Sequence, residues 1–151
     1  MTNKINIQNY LTWLVPLEIA KELKEIWFDE PCNHYVRISN DDIKLKINHS
    51  SIGLVILKRN SEYLNDDIAS FVTIPTWEQV FEWFREKGLE CFIEIDYQST
   101  FEECCYYCYV ITNQRGKTID CKSYFDDYNE AREALVIELI RTYQREQYKI
   151  K

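Results

Sequence analysis

Apolar residues recur at helical spacing in three stretches of the chain. After Pro16, a residue suited to a first helical turn, Leu17, Ala20, Leu23 and Trp27 repeat with Glu18, Lys21, Glu22 and Lys24 between them. This stripe predicts a first helix, ended by Asp29-Glu30-Pro31. Thr76-Trp77-Glu78-Gln79 is a capping box, in which the Thr76 hydroxyl and the Gln79 side chain each satisfy the other's backbone N–H. Val80, Phe81, Trp83 and Phe84 follow as a wide apolar stripe, and Gly88 stands where a left-handed cap belongs. The third helix is predicted from Tyr128 to Gln147, with Asp127 and Glu130 suited to its start. Its segment from Ala134 to Ile140 is apolar almost all round, as in a helix packed on several sides.

Strands are predicted between the helices. His34–Ile38, Ile43–Ile47 and Ile52–Leu57 form one set, followed by a polar loop over residues 59–70. The second set is clearer. From Glu90 to Tyr97, Cys91, Ile93, Ile95 and Tyr97 alternate with Glu90, Phe92, Glu94 and Asp96. Cys104–Thr112 and Lys117–Ser123 follow, joined by a hairpin turn at Asn113-Gln114-Arg115-Gly116. The fold class expected is α+β, with antiparallel sheet or sheets packed against about three helices in the order α-βββ-α-βββ-α. The 151 residues fit a single domain spanning 1–151, with a two-part organisation, 1–70 and 71–151, as the alternative.

Composition narrows the function. Apolar residues are 46% of the chain, enough for a core. A net charge of −7 argues against general attachment to nucleic acid or anionic lipid, which need Lys and Arg to neutralise phosphate. Residues Met1 to Gln8 contain no apolar core of an export signal, and no stretch approaches the roughly 18 uncharged apolar residues of a membrane span. The expected location is a reducing cytoplasm, where the six cysteines are thiols.

Reactive residue types occur without the spacing that chemistry needs. Cys105 and Cys108 make a C-x-x-C, but in a strand they point to opposite faces and cannot grip one zinc ion. Cys104 and Cys108 are instead expected inside, beside Cys91 and Cys121, as small hydrophobes. His34 and His49 belong to no metal or catalytic motif. Glu94 and Asp96 share a strand face and could serve a metal-dependent hydrolase, yet no Lys or Arg occurs from Gly88 to Gln114 to complete one. Three glycines cannot build a phosphate-cradling loop. No catalytic residue, metal or cofactor is expected, and the chain is read as non-enzymatic.

One surface stands out. If Cys91, Ile93, Ile95, Cys104, Tyr106, Cys108, Ile119 and Cys121 face the helices, alternation leaves Glu90, Phe92, Glu94 and Asp96 outward on one strand. Glu103, Cys105, Tyr107 and Tyr109 are left outward on the next. Tyrosines suit recognition surfaces because they offer area and a polar tip at low entropy cost. The expected partner-binding residues are Glu90, Phe92, Glu94, Asp96, Glu103, Tyr107 and Tyr109.

Three segments carry a resemblance. Pro16-Leu17-Glu18-Ile19-Ala20-Lys21-Glu22-Leu23-Lys24-Glu25-Ile26-Trp27-Phe28-Asp29-Glu30-Pro31-Cys32 resembles the opening of a family of small proteins common in phages and mobile elements of gut Bacteroidetes. Residues 74–87, Ile74-Pro75-Thr76-Trp77 onward, resemble that family's central helix, and Tyr128 to Leu135 the start of its final one. No activity is attached to that family. The resemblance implies a phage accessory protein engaged in anti-defence, binding a host protein such as a nucleic-acid-binding CRISPR effector. No direct contact with nucleic acid or membrane is expected. Self-pairing of the aromatic face in a homodimer is the structural alternative. A sponge for a cyclic-nucleotide messenger is the other alternative; Arg37, Lys58, Arg59 and Arg115 are its available cations, and they form no cluster along the sequence.

Overall fold

A computed structural model describes residues 12–39, 42–63, 69–97 and 105–149, with the backbone alone at Ala69, Asp96, Tyr97, Cys105 and Lys149. The chain is α+β, in the order α1 (Leu17–Glu25), β1 (His34–Ser39), β2 (Asp42–Ile47), β3 (Ala69–Ile74), α2 (Trp77–Glu86), β4 (Leu89–Tyr97), β5 (Cys105–Asn113), β6 (Thr118–Phe125) and α3 (Tyr128–Lys149). The strands form two antiparallel sheets, ordered β2-β1-β3 and β4-β5-β6. The α-βββ-α-βββ-α order agrees with the sequence pattern. The chain divides into two compact units, Met1–Gln79 and Val80–Lys151, with the division inside α2.

In the first unit α1 buries Leu17, Ile19, Ala20 and Leu23, and the sheet buries Val36, Val72 and Ile74. The helix stops one turn before the sequence stripe does. Trp27 turns left-handed, at φ 68°, and is 87% exposed. Its N–H bonds Lys24 O at 3.2 Å and the Phe28 N–H bonds Leu23 O at 3.0 Å, which is a Schellman cap. The turn sends Phe28 inward beside Leu23 in place of Trp27, so the expected placement of Trp27 on the apolar stripe is corrected.

The third strand is also corrected. It is Ala69–Ile74, part of which the sequence reading assigns to a polar loop. Residues 52–57 run instead as an extended loop, with Ile52 78% exposed and only one bridge, His49 to Val55. Both segments are rich in β-branched and aliphatic residues. Pairing with β1, which puts Val72 beside Val36 and Ile74 beside His34, decides between them.

Local capping chemistry forms as read. Thr76 Oγ1 accepts from the Gln79 N–H at 3.2 Å, and Gln79 Oε1 accepts from the Thr76 N–H at 3.0 Å. Asp127 Oδ1 accepts from the N–H groups of Asn129 and Glu130 at 2.8 and 3.1 Å. Gly88, at φ 87°, follows α2, and the Gly116 N–H closes the β5–β6 turn on Asn113 O at 2.8 Å. In the second unit α3 is the spine of the core, burying Ala131, Leu135, Val136, Leu139 and Ile140. Trp83 of α2 meets Tyr143 of α3 edge to face, with ring centroids 5.1 Å apart.

Candidate functional site

The second sheet has one face against α3 and one face open. On β4 the expected parity holds from Leu89 to Glu94, whereas Ile95, expected against the helices, is 44% exposed near the strand end. Leu89 is buried and Cys91 and Ile93 are half-buried on one side, while Glu90, Phe92 and Glu94 are exposed on the other. On β5 it is inverted. The register sets Cys91 opposite Ile111, Ile93 opposite Tyr109 and Ile95 opposite Tyr107, so these tyrosines lie on the α3 side. Tyr109 is 4% exposed, stacks on Phe125 at 5.9 Å and donates its hydroxyl to Asp120 Oδ2 at 3.2 Å. Burial, then the Asp120 charge, pushes its phenol well above the usual tyrosine range. Tyr107 is half-buried, with its ring edge to face with Tyr128 at 5.7 Å.

The physical reason lies in β5 itself. Both of its faces are apolar: Tyr106, Cys108 and Val110 on one, Tyr107, Tyr109 and Ile111 on the other. Alternation therefore does not select between them, and burying the larger set removes more apolar area from water. The expectation that Tyr106, Cys108, Ile119 and Cys121 face the helices, and that Tyr107 and Tyr109 face solvent, is corrected. Cys108 is buried, but on the side away from α3, and Cys121 is exposed.

The open face consequently carries Glu90, Phe92 and Glu94 from β4, with half-buried Tyr106 and Val110 and buried Cys108 from β5. Ile119 and Cys121 join from β6, where Cys121 stands opposite Val110. A bulge between the Tyr107–Phe125 and Tyr109–Lys122 pairs inserts one extra residue in β6. Within it Tyr124 has φ 73° and is 65% exposed. Its ring meets Tyr106 edge to face at 5.6 Å. Phe92 is 48% exposed. Lys122 is the only cation in the three strands, and it lies on the α3 side over the Phe125 ring. The exposed side thus pairs carboxylates with aromatic and aliphatic surface and holds no positive charge of its own strands.

Of the residues expected at this site, Glu90, Phe92 and Glu94 are together and exposed, and Tyr107 and Tyr109 are on the opposite face. The side chain of Asp96, and Glu103 and Cys104 entirely, lie outside the described residues, as does the Cys105 side chain. Tyr106, Val110, Ile119 and Tyr124 were missed. Only the left-handed bulge at Tyr124 is a local feature, and no glycine marks it in the sequence.

Among the described residues no group of three or more His, Cys, Asp or Glu side chains could hold a metal ion. The Cys91 thiol is pushed up to about 11 by burial, against the pull of Arg85, and so is a poor nucleophile near neutrality. His34 is buried, its Nδ1 against Asn33 Oδ1 and its ring edge to face with Trp13, and desolvation lowers its pKa. His49 is exposed beside Gly53 O. Among the described residues no helix is long and apolar enough to cross a membrane.

Comparison with protein-family models, with curated proteins and with solved structures found no match.

Proposed function

We propose that this chain is a non-enzymatic phage accessory protein that binds and inhibits a host immunity protein through the open face of its second sheet. One observation carries the reading. Phe92, Ile119 and Tyr124 are held in water beside Glu90 and Glu94, on a face to which β4, β5 and β6 contribute no cation, Lys122 lying on the α3 side. Exposed aromatic surface beside carboxylates is the composition of a recognition surface, with Arg85 of α2 near Glu90 at its edge. Tyr124 adds to this, because a bulky residue in left-handed backbone is costly and such strain gathers at sites of function.

The sign of the charge favours a basic partner surface. A groove that holds a guide or target strand, as in a CRISPR effector, is basic along its length, and an acidic face competes with the nucleic acid for it. The resemblance of residues 16–32, 74–87 and 128–135 to mobile-element proteins supports placing the partner in host defence. Glu90 and Glu94 supply the electrostatic complementarity, and Phe92, Tyr106 and Tyr124 the desolvated contacts.

Affinity capture from host lysate tests this. The native chain is expected to retain a partner that elutes as salt is raised, and the Glu90→Lys, Glu94→Lys double variant is expected to lose it without a change in thermal unfolding. Retention of the same partner by that variant, or binding indifferent to salt, would contradict the reading. Self-association of the purified chain, seen by light scattering and abolished by Phe92→Ser, would assign the face to a homodimer instead.

A further inference from the structure

The first sheet also has two unlike faces. Val36 and Val72 are buried on one side. The strand alternation puts Tyr35 and Arg37 of β1 on the other, where Tyr35 stands opposite Lys46 and Thr73, and Arg37 opposite Lys44 and Phe71. Tyr63, from the loop before β3, lies over this side. Its ring stacks on Phe71 at 5.3 Å and 10°, and sits 5.2 Å from Tyr35. Its hydroxyl donates to Asn48 Oδ1, and the buried Asn48 donates in turn to Cys32 O at 3.1 Å, so the ring is fixed in place. Lys58 stands 5.5 Å above the Tyr63 ring. The three rings are each half-buried and keep part of their surface in water.

Four cations therefore surround three aromatic rings on one sheet face. Lys44 pairs with Asp42. The side chains of Arg37 and Lys46 make no ion pair or hydrogen bond among the described residues. The sequence scatters these groups over residues 35–71, and the net charge of −7 conceals them. Only the β2-β1-β3 pairing gathers them.

We infer that the Tyr35, Arg37 and Lys46 face of the first sheet, with Tyr63 packed beside it, binds single-stranded nucleic acid. Every base has a face that can lie on an aromatic ring, and phosphates need cations at their side, so rings flanked by unpaired Arg and Lys match both parts of a strand. Lys44 and Lys46 are two residues apart on an extended strand, roughly 6.6 Å, and they line up beside the rings rather than closing around one point. That open, linear arrangement fits successive phosphates of a strand better than the single phosphate of a free nucleotide. The surface belongs to the first unit and is independent of the acidic face proposed above.

Fluorescence anisotropy with a labelled oligouridylate of about twelve nucleotides tests the inference on the full chain. Binding is expected at low salt and falls as salt rises, with a log–log slope of about −2 to −3 for three or four neutralised phosphates. Arg37→Gln with Lys46→Gln is expected to weaken binding at least about tenfold and flatten that slope. Tyr35→Leu, which keeps bulk without a ring, weakens it about fivefold or more. Glu90→Gln with Glu94→Gln, in the other unit, leaves it unchanged, so this test fails or succeeds separately from the first proposal. Lys46→Gln alone, an exposed and unbonded side chain, serves where the double variant unfolds. No anisotropy change at low salt would overturn the inference. So would unchanged affinity in the charge variants, or displacement by uridine monophosphate at equal nucleotide concentration.

Discussion

Ile93 stands directly opposite Tyr109 in the β4–β5 register, and this pairing determines which aromatic side chains of β5 face α3 and which face away from it. It brings Tyr109 under α3 with the apolar side of β4. The neighbouring parity, Tyr106 with Phe92 and the two carboxylates, is left on the open side. Glu90 and Glu94 are exposed on that side, and its tyrosines are not the ones expected there.

Gln79 ties three backbone groups together. Besides the capping box, its Nε2 donates to Pro31 O at 2.9 Å. Gln79→Ala removes these two bonds and the weaker one its Oε1 accepts from Cys32 Sγ at 3.9 Å, and leaves Pro31 O without this donor. It is expected to cost about 1–3 kcal/mol, and Thr76→Ala about 1 kcal/mol. Urea unfolding checks both, and equal, negligible losses would refute the account of this cap.

Trp27 occupies the left-handed position that helices usually give to glycine. Its side chain buries little, so replacing it relieves backbone strain at small cost in contacts. Trp27→Gly is expected to stabilise the chain by about 1 kcal/mol, and Trp27→Ala to do much less. A drop in thermal midpoint for Trp27→Gly would show that the indole makes contacts worth more than the strain.

Alkaline stability follows from buried protons. Burial pushes the Cys32 thiol from near 9 to about 12, and the Tyr63 phenol from near 10 to about 12. A raised folded-state value means that the folded chain keeps a proton the unfolded chain releases. The stabilisation is therefore complete below about pH 9 and is lost as pH climbs toward 12. His34 acts at the other end. Its lowered pKa means that the unfolded chain takes a proton the folded chain declines, so stability falls on acidification below the usual imidazole range. Urea midpoints across pH in reducing buffer should show both losses. Cys32→Ala should lessen the alkaline one, with Tyr63, Cys91 and Tyr109 still contributing, and an unchanged alkaline slope in that variant would contradict the assignment.

The features legible in the sequence are those decided within a few residues. Thr76 with Gln79, Asp127 before α3, and the Asn113 to Gly116 turn are side chains bonding nearby backbone, and their types and spacing announce them. Glu90, Phe92 and Glu94 were legible because β4 alternates cleanly between polar and apolar. β5 does not, and its orientation is settled by what α3 and β4 bury, which no local window contains. The same holds for β3, chosen over residues 52–57 by pairing with β1. Arg37, Lys44, Lys46 and Lys58 are separated by up to 21 positions in sequence, and their convergence is a property of the sheet.

Thermal or urea unfolding of Tyr109→Ala beside Tyr124→Ala tests the central claim, that β5 and β6 present one tyrosine set to α3 and another to water. Tyr109→Ala should lose about 3 kcal/mol or more, as for other buried aromatic truncations, and Tyr124→Ala less than about 1 kcal/mol. A large loss at Tyr124 with little at Tyr109 would place the faces the other way round and remove the surface on which the proposed binding rests.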